Sequence, residues 1–326
     1  MRPPQIDLTD VAFSSLSFSV VPLTSLSLPR YKGSTFRGAF GSTLRQIACI
    51  AHDRDCQECA DQAGCVYHYV FETPPPPDTE VMRKYPYVPH PFVIEPPEGG
   101  RSEYTREDTL SFGLKLVGKA ADYLPYFVHT FDEMGRIGIG RGRGKYRLAA
   151  IHSDTQQGER LLLYDGGTKT LSGSCPRLHV NGQAFNKPVQ QIAIEFLTPT
   201  RIKYEGRLVL DLDFHVLIRS LLRRVSMLSY FHCGIPLDLD YAVLINYAEQ
   251  VRTVRRGLVW FDWKRYSARQ DQKMSLGGFV GPIHFEGDAT PFMPLLTIGE
   301  HLHAGKGTSF GLGRYRILDK GEHEQR

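Results

Sequence analysis

A heptad at residues 142–148 recurs at residues 311–317, with the same residue type at every position but the second. The copies read Gly142-Arg143-Gly144-Lys145-Tyr146-Arg147-Leu148 and Gly311-Leu312-Gly313-Arg314-Tyr315-Arg316-Ile317. In each copy a polar, glycine-rich loop leads into the alternating pattern of a strand. An internal repeat with so long a period indicates a duplicated structural unit. We therefore expect two similar modules, each ending in a flexible cationic loop.

The elements before each loop also recur in order, and they predict an α+β fold of two tandem ferredoxin-like (RRM-like) domains. The predicted domains are 1–186 and 187–318, followed by a charged, disordered tail at 319–326. In the first domain we expect a helix over Ser34–Ala48 and, over 66–105, a long proline-rich extended insertion. In the second, Gly206–Leu212 is predicted as a strand of the module and Phe214–Phe231 as an amphipathic helix.

Composition is consistent with a globular protein that handles an anionic ligand locally. The 326 residues are 41% hydrophobic and 23% charged, with a net charge of +4. This charge is modest, so a nucleic-acid surface must come from clusters such as residues 136–147, which hold five bases and no acid. No stretch is long and apolar enough for a membrane span, and the N-terminus does not resemble a signal peptide. We therefore expect a cytoplasmic protein with no membrane partner.

The two glycine-rich loops do not fit a small-nucleotide motif. A dinucleotide fingerprint has its glycines between a strand and a helix, whereas both loops here lead into strands. A Walker loop needs Ser or Thr directly after its lysine, but Lys306 is followed by Gly307. The alternative of a solvated cationic turn stays open at each loop. From the loops, the first helix and a basic aromatic hairpin near 258–266, the predicted RNA-binding residues are Arg37, Arg141, Arg143, Lys145, Lys264, Arg265, Lys306 and Arg314.

Four of the six cysteines fall within residues 49–65, in the spacing Cys49-x6-Cys56-x2-Cys59-x5-Cys65. Local crowding of this kind suits a metal site in a reducing compartment better than a disulfide framework. Four thiolates complete a tetrahedral zinc site and leave no open position for water, so we expect a structural ion. An Fe–S cluster also takes four cysteines, and unligated thiols are the third possibility.

Several motifs together resemble the CRISPR-associated RAMP superfamily, and within it the endoribonucleases that process precursor crRNA. The resemblance covers essentially the whole chain and is carried by Gly33–Gly41, Thr198–Arg201, Gly277–Gly281 and the signature Leu302–Tyr315. It implies two tandem ferredoxin-like domains and cleavage of CRISPR repeat transcripts without a catalytic cofactor. It also implies retention of the product guide RNA, with other CRISPR effector subunits as further partners. A monomer and a homodimer are both compatible with it.

The expected reaction is attack of a 2′-hydroxyl on the adjacent phosphate, which leaves a 2′,3′-cyclic phosphate. Such a reaction needs a base, an acid and cations around the phosphorane. Members of the family usually place a histidine in or after the first helix, near a tyrosine and a lysine. Here that helix contains no histidine. The catalytic candidates are therefore Tyr31 and Lys32 before it, His52 after it, and His303 in the C-terminal signature.

Alternatives remain at each of these positions. His52 could be a metal ligand or an exposed side chain, His303 could be a structural histidine, and cleavage could proceed through lysines and substrate geometry without histidine. We predict a metal-independent endoribonuclease for CRISPR repeat RNA. The first rival is a non-catalytic crRNA-binding subunit of the same superfamily. The second is a nucleotide-using enzyme whose glycine loops hold the phosphates of a small molecule.

Overall fold

The structure is a computed structural model. It describes residues 4–51, 56–76, 79–80, 88–180, 187–262, 264–267, 272–275 and 277–318, with the backbone alone at 57, 264–267 and 272–275. The chain forms two compact units. The N-terminal unit comprises Ala12–Leu178 and Phe231–Gly234, and the C-terminal unit comprises Met1–Val11, His179–Tyr230 and Ile235–Arg326. The boundary predicted at residue 186 and the predicted disordered tail at 319–326 lie outside the described residues.

The N-terminal unit is built on one antiparallel sheet with helices packed against it. Its described strands are β1 (Phe13–Pro22), β2 (Leu26–Ser27), β3 (Phe92–Glu95), β4 (Glu103–Tyr104), β5 (Leu110–Val117), β6 (Tyr146–Asp154), β7 (Arg160–Asp165) and β8 (Thr170–Leu171). The sheet order is β3-β5-β1-β6-β7-β8, and β2 pairs with β4 separately. Helices α1 (Gly33–Ala48) and α2 (Leu124–Ile137) contact each other and this sheet.

The predicted apolar stripe of α1 explains how the helix packs. Phe36, Phe40 and Leu44 recur every fourth residue, so they share one face, and all three are buried. The Phe40 ring stacks on Phe127 and Phe131 of α2, at centroid distances of 5.3 and 5.1 Å. The aromatic core therefore fixes the position of α1 and of the polar residues on its other side.

The C-terminal unit repeats the plan. Its described strands are β9 (Gln191–Thr200), β10 (Lys203–Tyr204), β11 (Arg207–Leu208), β12 (Arg252–Arg256), β13 (Val259–Phe261), β14 (Lys264–Ser267), β15 (Gln272–Ser275), β16 (Gly278–Glu286) and β17 (Tyr315–Leu318). The main sheet order is β12-β16-β9-β17, with β13 also on β16 and with β10–β11 and β14–β15 as separate pairs. The helices are α3 (Phe214–Leu228), α4 (Tyr241–Ala248) and α5 (Met293–Leu302).

Both main sheets have the strand order of a ferredoxin-like fold. The four module strands in chain order are β1, β3, β5 and β6 in one unit and β9, β12, β16 and β17 in the other, and each set lies in the order second, third, first, fourth. The predicted fold class is therefore confirmed.

Two strand predictions were wrong. In each module the second strand lies at the edge of the sheet, in a segment whose sequence gave no clear strand pattern. Val93 and its neighbours form β3 inside the proline-rich segment that was expected to be extended insertion. Residues 252–256 form β12, whereas Gly206–Leu212 contributes only the two-residue β11. β12 is mostly exposed, so its apolar alternation is weak. β3 is buried throughout, but it has only four residues, and the prolines on both sides of it obscured its strand pattern.

The repeated heptads occupy equivalent positions in the two units. The buried Tyr146 hydroxyl donates to the Phe131 carbonyl of α2 at 2.8 Å, and the buried Tyr315 hydroxyl donates to the Leu296 carbonyl of α5 at 2.7 Å. The residue before each tyrosine donates its N–H to a threonine at the end of the first module strand, Thr24 or Thr198. The repeated residues therefore make equivalent hydrogen bonds in the two units, and these bonds hold the last strand of each module against its helix and its first strand.

Candidate functional site

The second glycine-rich loop, Gly305–Gly313, gathers positive charge. Lys306 is exposed, and partial burial of its ammonium, together with the charges of Lys203, Arg223 and Arg201, lowers its pKa. A nearby like charge disfavours the charged form of each group, and an anion bound between the groups offsets this effect. We call these four residues the cationic cluster. Its natural ligand class is a phosphate-bearing molecule.

The loop backbone is largely committed to internal contacts. The N–H groups of Ala304, Lys306 and Gly313 donate to the carbonyls of Gly313, Arg201 and Pro199, at 2.8, 2.9 and 3.2 Å. Gly305 and Gly313 both have a φ of 77°, and a Cβ at either would overlap the carbonyl of Arg201 or Ala304. These glycines serve close packing within the protein, so contact with phosphate falls to the side chains.

Of the two bases predicted here, Lys306 is exposed and Arg314 is half-buried. The Arg314 backbone N–H donates to the Thr198 hydroxyl at 2.9 Å, and that hydroxyl donates to the Gly311 carbonyl at 2.8 Å. Sequence reasoning did not assign Lys203 a role, although it lies two residues after the Thr198–Arg201 motif.

The first glycine-rich loop presents three exposed cations, Arg141, Arg143 and Lys145. Backbone contacts hold it in place: Arg141 N–H donates to the Ser27 carbonyl at 2.9 Å, and Lys145 N–H donates to Thr24 Oγ1 at 2.8 Å. RNA binding by these three residues stays a prediction. Lys264 and Arg265 lie on β14, and their side chains are outside the described part of the chain.

Tyr31 and Lys32 precede α1 as predicted; Tyr31 is half-buried and Lys32 is buried. Burial strongly raises the pKa of the Tyr31 phenol and lowers the pKa of the Lys32 ammonium. Lys32 is 1% exposed, and its Nζ donates to the carbonyls of Gly99 and Arg30 at 3.1 and 3.4 Å. This geometry ties two loops to the start of α1, so Lys32 has a clear structural role.

His303 is fully buried at the end of α5, where its Nδ1 lies 3.1 Å from the Leu312 carbonyl and donates to it. Its backbone has φ 64° and ψ 162°, a region that is almost exclusive to glycine. The equivalent residue at the end of α2 is Gly138, with φ 92° and ψ 150°. The geometry favours the structural alternative for His303, and its catalytic role stays a prediction.

The cysteine segment is only partly described, and His52 lies outside the described residues. Cys49, Cys56, Cys59 and Cys65 are free thiols, each half-buried. Within the described ranges, no group of three or more His, Cys, Asp or Glu side chains is placed to hold a metal ion. The arrangement of the four cysteines therefore does not itself support the tetrahedral site, and structural zinc stays a prediction.

The structure places Arg37, predicted to bind RNA, against a histidine that sequence reasoning did not select. Arg37 Nη2 lies 2.9 Å from His90 Nε2, and His90 Nδ1 lies 2.9 Å from Thr73 Oγ1. His90 is half-buried between Pro89 and Pro91 in the sequence. The flanking prolines restrict the backbone and were the one local signal of a fixed histidine.

Comparison with known proteins identifies the family. Residues 10–175 match the AF_1859 N-terminal domain, and residues 194–315 match the CRISPR-associated endoribonuclease Cas6. Residues 194–315 thus form a Cas6-type domain, and this match supports a CRISPR-associated endoribonuclease. The matched model is that of an endoribonuclease, so the match does not favour the non-catalytic binding subunit as the alternative. The predicted resemblance is confirmed.

Individual relatives are similar to this chain over most of its length. An uncharacterized protein of Archaeoglobus fulgidus is 26% identical over 295 residues, covering 89% of this chain and 92% of its own. Thermus thermophilus Cas6 (TTHB231) has a similar fold at 16% identity, with a TM-score of 0.54 and coverage of 94% and 99% of the two chains. The product complex of Cas6 (TTHB231), also 16% identical, reaches a TM-score of 0.58 with coverage of 94% and 100%. At such identities the likeness shows a shared fold.

The Cas6 match covers the part of the chain that holds the cationic cluster. Arg201, Lys203, Arg223 and Lys306 all fall within residues 194–315. Among the residues that the structure describes, no helix is long and apolar enough to cross a bilayer.

Proposed function

We propose that the chain is a metal-independent endoribonuclease that cuts CRISPR repeat RNA within precursor crRNA. The observation that carries the proposal is the cationic cluster at the second glycine-rich loop. A polyanion such as RNA would relieve the repulsion among the positive charges around Lys306. The exposed cations of the first loop, Arg141, Arg143 and Lys145, offer a second set of phosphate contacts. Such contacts position the RNA and carry little sequence information. Other CRISPR effector subunits are proposed partners of the protein with its bound product.

The proposed reaction is transesterification within the RNA. The 2′-oxygen attacks the adjacent phosphorus, the bond from phosphorus to the 5′-oxygen breaks, and a 2′,3′-cyclic phosphate remains. Protein side chains need only accept the 2′-proton, protonate the leaving oxygen and stabilise the charge on the phosphorane. Alignment of the 2′-oxygen with the leaving oxygen supplies a large part of the rate, so firm binding of the RNA backbone is itself catalytic.

The test uses the repeat RNA from the CRISPR array of the host. We expect single-turnover cleavage in EDTA with a cyclic-phosphate product, and no cleavage of a substrate with a 2′-deoxy nucleotide at the scissile position. Tight binding of the natural RNA without cleavage would instead support a guide-binding subunit. A product with a free 3′-hydroxyl would contradict the proposed chemistry.

The cationic cluster is tested by the salt dependence of RNA binding. Lys306→Ala should weaken binding and reduce the slope of log K against log salt by about 0.7–0.9 for the lost phosphate contact. Lys187→Ala is the matched control, because Lys187 is an exposed lysine of the same unit that is not among the charges lowering the Lys306 pKa. Equal slopes for the wild type and Lys306→Ala would remove the cluster from the RNA-binding surface.

A further inference from the structure

A strained residue in the N-terminal unit holds a histidine in one orientation. Thr73 ends the helical turn His68–Glu72 with φ 47° and ψ 60°, in the left-handed region that β-branched residues rarely adopt. Its side chain is buried, and its Oγ1 lies 2.9 Å from His90 Nδ1. Its carbonyl accepts a hydrogen bond from Val88 N–H at 2.9 Å. Thr73 therefore contacts the His90 segment through both its backbone and its hydroxyl.

The hydrogen bonds assign the protons of the His90 ring. Arg37 can only donate, so His90 Nε2 accepts from Arg37 Nη2. The ring proton is then on Nδ1, which donates to Thr73 Oγ1, and the threonine hydroxyl donates onward to the Val70 carbonyl at 3.2 Å. The imidazole is thus neutral, with its basic nitrogen directed at a guanidinium.

Packing fixes the plane of the same ring. His90 stacks between Phe71 and Phe92, at centroid distances of 6.0 and 5.6 Å and interplanar angles of 23° and 20°. The Arg37 guanidinium carbon lies 4.4 Å from the Phe71 ring centroid. Phe71 in turn packs on Gly41 of α1, where any Cβ would overlap its ring. A charged group that the structure places on the His90 ring is therefore the Arg37 guanidinium of α1.

We propose that His90 and Arg37 form the acid–base and phosphate-binding pair of the RNA-cleaving site. The proposal rests on the proposed function and assigns two residues to it. In RNA-free protein, Arg37 occupies the lone pair of His90 Nε2. A scissile phosphate next to α1 offers the guanidinium a stronger, charge-assisted partner. Arg37 then moves to the phosphate oxygens, and Nε2 is left to accept a proton.

The proton and bond changes balance. His90 Nε2 takes the proton of the 2′-hydroxyl while the 2′-oxygen forms its bond to phosphorus. The bond from phosphorus to the 5′-oxygen breaks with its electron pair on that oxygen, which takes a proton from water. The hydroxide left in the water is neutralised when the imidazolium returns its proton to solvent. Thr73 is a positioning residue, since its hydroxyl accepts from Nδ1–H in both states of the ring, and Arg37 stabilises the charge on the phosphorane.

The test compares single-turnover cleavage by the wild type, His90→Gln and the control His129→Gln on repeat RNA. His129 is an exposed histidine of α2, outside this network. We expect His90→Gln to lose at least about 100-fold in rate, the usual contribution of one general base, with RNA affinity unchanged. The acid limb of the pH–rate profile should also disappear in His90→Gln. His129→Gln should keep the wild-type rate and the acid limb.

A second variant covers the case in which His90→Gln is poorly folded. Thr73→Val keeps the shape of the side chain but removes the oxygen that accepts from Nδ1–H. We expect a loss on the order of 10-fold, with a shifted acid limb, because the imidazolium loses its partner. A merely structural role for Thr73 would lower thermal stability and leave the acid limb in place, which would overturn the proposal.

The outcomes separate this inference from the proposed function. Wild-type protein that binds repeat RNA without cutting it overturns both. Wild-type cleavage that continues at full rate, with the same pH profile, in folded His90→Gln overturns the His90 assignment alone.

Discussion

The packing of Tyr146 over α2 makes a sharp prediction for glycine-to-alanine substitutions in helices. Gly38 in α1 and Gly135 in α2 both lie within helices of the N-terminal unit, so the same chemical change is made in the same unit. A Cβ at Gly38 meets no atom within 4 Å. A Cβ at Gly135 would overlap the Tyr146 carbonyl oxygen and lie 2.7 Å from two carbons of its ring. Only the second site lacks room for a methyl group.

These distances set the expected magnitudes. Gly38→Ala should stabilise by about 0.5–1 kcal/mol, because alanine loses less backbone entropy in a helix. At Gly135 the same gain is opposed by overpacking, which costs about 1–3 kcal/mol. Displacing the Tyr146 ring also weakens its 2.8 Å hydrogen bond to Phe131, which contributes about 1 kcal/mol. Gly135→Ala should therefore destabilise by about 1–3 kcal/mol.

The assay is thermal unfolding of the full chain, followed by circular dichroism. In a unit of this size, 1 kcal/mol shifts the midpoint by about 2–4 °C. We expect the midpoint to rise for Gly38→Ala and to fall for Gly135→Ala. Gly299→Ala in α5 should also lower it, because a Cβ there would overlap the Tyr315 hydroxyl and lie 2.8 Å from Leu221 Cδ2. Equal increases in the midpoint for Gly38→Ala and Gly135→Ala would refute the close packing of Tyr146 on Gly135.

Three further predictions concern the candidate sites. His303→Gly should unfold at a higher temperature than His303→Ala, by about 1 kcal/mol or more in stability, because φ 64° and ψ 162° strain every residue but glycine; the opposite order would show that the backbone there is relaxed. Lys306 has a lowered pKa in the folded state, so its charge opposes folding below that pKa and the penalty is relieved as the pH rises through it. Lys306→Ala should thus raise the melting temperature at pH 7 while it weakens RNA binding, and a lower melting temperature would contradict this sign. Native mass spectrometry of protein expressed with zinc should show one ion per chain, lost in Cys56→Ser but retained in Cys175→Ser; a metal-free mass for the wild type would leave the four cysteines as plain thiols.

Local pattern was sufficient for much of the fold. The Phe36, Phe40 and Leu44 stripe predicted α1, and the repeated heptad predicted two modules that end alike. Periodicity of this kind arises because one face of an element must be buried, so it is written in neighbouring residues. Both second strands escaped prediction, since β3 is a four-residue strand among prolines and β12 is an exposed edge strand with little apolar alternation.

The candidate site was less predictable than the fold. Lys306 could be selected from the glycine-rich signature, but its cluster joins the end of β9, the β10 hairpin and the exposed face of α3. Arg37 was predicted to bind RNA, which stays a prediction, but its contact with His90 was not foreseen. His303 matched the expected chemistry by residue type, yet its position at the end of α5 buries it.

Duplication, fold class and the anionic nature of the ligand could all be inferred from the linear chain, because repeats, periodicity and charge clusters are properties of neighbouring residues. The meeting of Arg37 with His90, 53 positions away, could not. That contact exists because the aromatic core positions α1 beside β3. It also depends on the left-handed backbone conformation of Thr73, which the neighbouring residues do not predict. Contacts of this kind depend on packing between distant segments, and packing is settled only when the whole unit has folded.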